Sequence, residues 1–154
     1  MFFSQTAEYA LRAAVLIAGD PDRPHSTQEL ARQAQAPPDY LYKVLQAMRR
    51  AGLVESQRGV GGGIRLTRTP DQITVLDVVN AVDPIRRIET CPLKLESHGP
   101  RLCPLHRRLD NAIAHVEQAL GDATIADLLA EPDSPRPLCE AVNINLTTPR
   151  SAES

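Results

Sequence analysis

The sequence predicts a mainly α-helical protein with a small β-hairpin wing, that is, a winged helix-turn-helix, followed by a long dimerisation helix. Three observations predict this fold. Two short helical segments are separated by a proline-containing turn, a glycine-rich hairpin follows the second of them, and an apolar seam marks one long helix further on. The length of 154 residues, 42% of them hydrophobic, suits one compact domain with an appendage. Because only 3% are aromatic and Trp is absent, the core must be aliphatic.

The first three helices follow from periodicity and capping. Apolar residues recur at helical spacing from Gln5 to Ala18, and Gly19-Asp20-Pro21 stops that pattern. Ser26 and Glu29 form a predicted capping box that opens a short helix over Thr27 to Gln33. A Pro-Pro turn then leads into Tyr40 to Arg50. The buried stripe expected on this last helix is Leu41, Val44, Leu45 and Met48.

The period then changes to that of strands. Leu53 to Gln57 and Ile64 to Thr67 flank a glycine-rich stretch, Arg58 to Gly63, which predicts a hairpin with a flexible tip. We call this hairpin the wing. Helical spacing resumes from Ile73 to Val82, and Asp83-Pro84 closes the N-terminal unit.

The C-terminal part has one strong helical signal. Pro104 to Leu120 is the longest uninterrupted helix candidate, and a short helix is expected over Thr124 to Ala130. The longer helix has an apolar seam, which favours pairing with a second helix. The seam consists of Leu105, Leu109, Ala112, Val116 and Ala119. We therefore expect a DNA-binding domain over 1–83, a cysteine-containing sensor loop over 84–103, the dimerisation helix and following short helix over 104–131, and a Pro-rich, partly flexible tail over 132–154.

Composition excludes several classes of protein. No apolar run approaches the roughly 18 residues that span a bilayer, and the N-terminus lacks the pattern of a secretory signal. Three cysteines are too few for a disulfide scaffold. We expect a cytoplasmic protein without membrane contact, whose cysteines stay reduced and are reactive or metal-binding.

The charge is concentrated in one segment. Between Tyr40 and Pro70 the chain has six basic residues and one acidic residue, giving +5 in a chain of net charge −2. This pattern indicates an anionic partner, with a solvated basic face as the alternative. Because such a helix enters the major groove while a wing reaches the neighbouring backbone or minor groove, we expect DNA contacts. The candidates are Asp39, Tyr40, Tyr42, Lys43, Arg49 and Arg50 on the helix, and Arg58, Gly59, Gly61 and Arg65 on the wing.

Two alternatives concern these same residues. Tyr40 is equally well explained as an aromatic residue packed on the core. The glycine run could bind a nucleotide phosphate, but it lacks the Gly-Lys-Ser/Thr ending of a phosphate-binding loop.

Several motifs together resemble one family. Thr6-Ala7-Glu8-Tyr9-Ala10-Leu11-Arg12-Ala13, Arg58-Gly59-Val60-Gly61-Gly62-Gly63 and Asp77-Val78-Val79-Asn80-Ala81-Val82-Asp83 are similar to those of the IscR/NsrR family of bacterial winged-helix transcription regulators. The resemblance implies a symmetric homodimer that is held by crossed long helices and binds a palindromic operator in double-stranded DNA. It does not imply an enzyme. A thiol enzyme built on Cys103 and His106 would lack an orienting third group.

The resemblance also implies a sensor. Many family members hold an iron–sulfur cluster through three cysteines before the long helix, sometimes with a histidine, and some use a carboxylate from the partner subunit. Here the middle cysteine is missing, and Ser97 stands in its place. Two cysteines with other ligands are consistent with a two-iron, two-sulfur cluster. The candidate ligands are Cys91, Cys103, His106, Glu8 and His98.

Three alternatives to the cluster remain open. The first is a regulator of the same fold without a cluster that responds to cysteine oxidation, and the second is one that responds to a small molecule. The third is a zinc or mononuclear site. Cys103 precedes Pro104 at a helix N-terminus, where the helix dipole favours a negative side chain. We expect Cys139 to be a spare thiol, and His25 and His115 to lie at the surface.

Overall fold

A computed structural model describes residues 2–98 and 100–138, with the side chain of His98 left out. Within these residues the chain has six α-helices and one two-stranded antiparallel hairpin, which confirms the predicted winged helix-turn-helix architecture. Cys139 and the rest of the tail lie outside the described residues. The elements are α1 (Gln5–Gly19), α2 (Thr27–Gln33), α3 (Pro38–Arg50), β1 (Val54–Gln57), β2 (Gly63–Leu66), α4 (Val75–Val82), α5 (Pro104–Gly121) and α6 (Ile125–Ala130).

Helix α1 forms the centre of the core. Its buried residues are mostly alanines, so neighbouring helices pack closely against it. Helix α3 buries the predicted stripe of Leu41, Val44, Leu45 and Met48. It begins at Pro38, two residues earlier than expected, because proline fits the first turn of a helix without losing a hydrogen bond.

Only one of the two hydrogen bonds of the capping box expected at α2 is present. The Ser26 hydroxyl accepts a hydrogen bond from the Glu29 N–H at 3.1 Å. The Glu29 carboxylate instead accepts two hydrogen bonds from the Arg23 guanidinium, at 2.8 and 3.0 Å. This pair holds the pKa of Glu29 below its ordinary value and ties the turn before α2 to the helix.

The wing is paired to a third segment of chain. Strands β1 and β2 pair from Val54–Leu66 to Gln57–Gly63, and His25 bridges Ile64 on the other side of β2. The His25 N–H donates to Ile64 at 3.0 Å, and the Ile64 N–H donates to His25 at 2.8 Å. Gly63 has a φ of +151°, and a Cβ there would stand 2.8 Å from the His25 carbonyl oxygen, so this close approach requires glycine.

The expectation that His25 lies at the surface is wrong. Its residue exposure is 1%, and a ring nitrogen lies 3.0 Å from the backbone oxygen of Asp20. The backbone pairing with Ile64 draws the side chain inside, and the hydrogen bond to Asp20 satisfies its polar edge. His115 is exposed, as expected.

A second pairing joins the C-terminal helices to the winged unit. Helix α4 begins two residues later than predicted because Ile73 is extended and accepts a hydrogen bond from the Ile125 N–H at 2.9 Å. The Val75 N–H donates to Ala123 at the same distance. Ile73 and Ile125 are both fully buried, so the start of α6 is fixed against the start of α4.

Among the described residues, no helix has both the length and the apolar composition required to cross a membrane.

Candidate nucleic-acid interface and sensor segment

One face of α3 is open to solvent. It lies opposite the buried stripe, and the predicted DNA-contacting residues occupy it. The exposed candidates are Asp39, Tyr40, Tyr42, Lys43, Arg49 and Arg50. Tyr42 is 55% exposed although it is aromatic, so its side chain is available to a partner.

Tyr40 is engaged by α1. Its ring packs edge-on against Tyr9 at a centroid distance of 5.8 Å, and its hydroxyl hydrogen-bonds the Thr6 hydroxyl. Tyr40 therefore packs against α1 while 39% of its surface stays exposed, so it is not a core residue and both interpretations of it stay open. Tyr42 is the aromatic residue of α3 that points away from α1 and the core.

The wing and the helix-turn-helix meet around one cleft. A cavity of about 270 Å³, which we call the DNA-facing cleft, is lined by Thr27 at the start of α2, by Tyr42 and Arg49 of α3, and by Arg58 of the wing. Three separate elements thus place hydroxyl and cationic groups around the same depression. A helix start and guanidinium groups both bind phosphate well.

The wing tip depends on glycine. Gly59 and Gly61 have φ values of +99° and +77°, which other residues adopt only with strain. Val60 between them is fully exposed, and Arg58 at the base is exposed as well. The tip therefore exposes backbone at Gly59 and Gly61, with Arg58 beside it.

Arg65 differs from the other basic candidates. It lies on β2 opposite Glu55 and is half-buried, and its Nε is buried without a hydrogen-bond partner among the described residues. A phosphate contact from Arg65 would have to use the terminal nitrogens of its guanidinium.

The cations of this face are not neutralised by the protein. Within residues 2–98 and 100–138, ion pairs use Arg12, Arg23 and Arg87, and none uses a basic residue of α3 or the wing. Their charge is therefore free to attract an anionic partner.

The predicted metal ligands are only partly brought together. Cys103 is the N-cap of α5, and its Sγ lies 3.4 Å from His106 Nδ1 in the first turn. Cys91 is buried, and the Glu8 carboxylate accepts a hydrogen bond from Arg12 at 3.0 Å. The side chain of His98 lies outside the description. In the described part of the chain, no three His, Cys, Asp or Glu residues form a group able to hold a metal ion.

A clamp that the sequence did not reveal fixes the start of the sensor loop. The Arg87 guanidinium donates to the Asp110 carboxylate, with Nε at 2.7 Å, and the Ile88 N–H donates to the same group at 2.8 Å. These hydrogen bonds hold the pKa of Asp110 below its ordinary value. The loop is thereby tied to the middle of α5.

The seam of α5 is uncovered in the single chain. None of its 18 residues is buried, and Leu105 and Leu109 are 62% and 49% exposed. A helix this long with large apolar side chains in water is typical of an interface.

Both the sequence and the fold match known proteins. The family model "Rrf2: Iron-dependent Transcriptional regulator" matches residues 3–131. The chain is 30% identical over 132 residues to an HTH-type transcriptional regulator of Aquifex aeolicus, covering 84% of this chain and 92% of that protein. Among solved structures it is similar to CymR, the global cysteine regulator of B. subtilis, with a TM-score of 0.70 and 24% identity over 86% of this chain and 99% of that one. It is also similar to T. potens IscR, with a TM-score of 0.68 and 24% identity over 85% and 88% of the two chains.

Proposed function

Because the chain belongs to the Rrf2 family of transcriptional regulators, we propose that it is a homodimer that binds a palindromic operator in double-stranded DNA. The family assignment confirms the resemblance seen in the sequence and the expectation that the chain is not an enzyme. The proposed place of action is the cytoplasm, where the DNA is.

The observation that carries the operator proposal is the DNA-facing cleft. Helix α3 presents Tyr42 and Lys43 in its first half, where a recognition helix contacts base edges. Arg49 and Arg58 stand around the same cleft and are without ion pairs among the described residues, so they suit phosphates. In this proposal the region 1–83 binds DNA and α5 joins two copies.

Selection from a library of random duplexes tests the operator proposal. The wild-type chain should enrich a two-fold symmetric sequence whose half-sites are about one helical turn apart. Lys43→Ala should relax the preference at specific base pairs or weaken binding to all sequences, whereas the control Arg108→Ala, on α5, should do neither. A library that yields no common sequence would contradict the proposal.

The proposed sensor centres on Cys103 and His106. Their contact at the start of α5 places a thiol and an imidazole together, and both are iron ligands. Because no third ligand joins them within the described part of one chain, the site is incomplete there. In the proposed dimer, Cys91 and Cys103 would hold a two-iron, two-sulfur cluster together with His106 and the Glu8 carboxylate of the partner subunit, with His98 as a further candidate. When bound, such a cluster supplies one-electron redox chemistry.

Anaerobic reconstitution tests the cluster. Cys91→Ala and Cys103→Ala should each abolish visible absorbance and the uptake of iron and sulfide, because thiolates contribute most of the affinity. Glu8→Gln should retain part of the cluster, and the control Cys139→Ala should retain all of it. Wild-type protein that takes up no iron and sulfide contradicts the proposal.

The second candidate is sensing by thiol oxidation without a cluster. The same contact favours it, because Cys103 stands beside a polar imidazole and its oxidation needs no third ligand. In iron-free protein, hydrogen peroxide should then change operator affinity in the wild type and not in Cys103→Ser. An unchanged affinity in the wild type eliminates this candidate.

A further inference from the structure

A second cavity lies on the inner side of His25. It measures about 320 Å³ and opens between the second half of α1, the end of α2, α6 and the segment that follows α6. We call it the effector cavity. His25, a buried residue, lines both this cavity and the DNA-facing cleft.

The walls of the effector cavity are amphipathic. Val15, Leu16 and Leu129 supply apolar surface. Gln33, at the end of α2, lines the same cavity and is 6% exposed. Its carboxamide therefore offers a hydrogen-bond donor and an acceptor to a polar atom inside the cavity.

The charges around the cavity favour an anion. Asp20 is paired with Arg23 at 2.9 Å, and Arg23 also binds Glu29 at 2.8 Å. Arg136 stands at the opening, with Nη2 beside Gly19 at the end of α1, and forms no ion pair within the described residues. Of the two arginines that line the cavity, Arg23 has carboxylate partners and Arg136 has none among the described residues.

We infer that the effector cavity binds a small aliphatic carboxylate. Its carboxylate pairs with Arg136 and accepts a hydrogen bond from Gln33, and its hydrocarbon part lies against Val15, Leu16 and Leu129. The volume is at the lower end of the range for small-molecule sites, about 300 to 1,000 Å³, which limits the ligand to a few carbons. A guanidinium binds a carboxylate through two parallel hydrogen bonds, which gives selectivity over a neutral analogue.

The position of His25 makes the cavity regulatory, an inference that rests on the proposed binding of DNA. A ligand beside the His25 ring contacts the residue whose backbone is bonded to Ile64 of the wing at 3.0 and 2.8 Å. Gly63 adjoins the same backbone with no space for a side chain. A displacement of His25 therefore changes the position of the wing, and with it the contact that Arg58 makes with DNA.

Calorimetric titration of the full chain with 4-methylpentanoate tests binding. We expect saturable binding of 4-methylpentanoate to the wild type. Its affinity should fall at least about tenfold in Arg136→Gln, and the neutral probe 4-methylpentanamide should bind the wild type at least about tenfold more weakly. Arg136 is exposed, so the variant should fold normally. Arg108→Gln is the matched control and should bind as the wild type does. Absence of saturation at about 10 mM, or equal binding of the amide, overturns the inference.

Two further measurements locate the site and its effect. In carbon–proton correlation spectra the probe should shift the ring signal of His25 and leave that of exposed His115 unchanged; the reverse pattern overturns the inference. Saturating probe should change the operator dissociation constant at least about fivefold, and a smaller change refutes the regulatory role. Operator binding without probe is measured separately. If the chain binds no operator, the proposed function is wrong, whereas operator binding that does not respond to the probe rejects only the regulatory role of the effector cavity.

Discussion

Replacement of Arg58 by alanine tests the DNA-binding face through its dependence on salt. The structure exposes Lys43, Arg49, Arg50 and Arg58, so the proposed dimer would carry about eight cations able to neutralise phosphates. Each neutralised phosphate contributes about 0.9 to the slope of log K against log salt, and the wild-type slope should be about −7. Arg58→Ala removes two contacts per dimer and should make the slope less steep by about 1.8.

The assay is fluorescence anisotropy with the selected operator between about 50 and 200 mM salt. Arg108→Ala should keep the wild-type slope, because Arg108 lies on α5. If Arg58→Ala leaves the slope unchanged, the wing does not contact the phosphate backbone. Weaker binding with an unchanged slope would also refute the reasoning, because the lost contact would then not be ionic.

Three other predictions concern assembly, packing and pH. Leu109→Glu combined with Val116→Glu should yield monomers in sedimentation and greatly weakened operator binding, whereas Arg108→Glu should remain dimeric. Met48→Ala should lower the free energy of unfolding by about 2–5 kcal/mol in denaturant titration, and Met48→Leu by less than about 1.5 kcal/mol, because Met48 is fully buried. The pKa of Asp110 is lowered in the folded state, so its ion pair adds stability above its ordinary pKa and loses it as pH falls through the lowered one. Asp110→Asn should therefore reduce the melting temperature at neutral pH, with a difference that disappears in acid.

The parts of the fold that were predicted are those with local signals. The stripe on α3, from Leu41 to Met48, repeats at helical spacing and needs no information from distant residues. The glycines between Arg58 and Ile64 mark a turn by their backbone freedom alone. Both features were therefore visible in the sequence, with boundary errors of one or two residues.

The features that were missed depend on pairings between distant residues. His25 is an isolated polar residue in a turn, and its burial follows from backbone bonds to Ile64, which lies 39 positions later in the numbering. The bond between Arg87 and Asp110 likewise joins residues 23 positions apart. No spacing rule relates such residues, because only the packing of whole elements brings them together.

The backbone bonds that join Ile73 to Ile125 make α5 a lever with a fixed attachment. Its 18 residues extend over about 27 Å, with Cys103 at one end and the winged unit fastened just beyond the other. A tilt of about 5° at the Cys103 end displaces the far end by about 2 Å. Since the attachment consists of paired backbone, it does not absorb that displacement, and the winged unit must travel with it. In the proposed dimer, a modest rearrangement around Cys103 would therefore be amplified into a change in the separation of the two α3 helices.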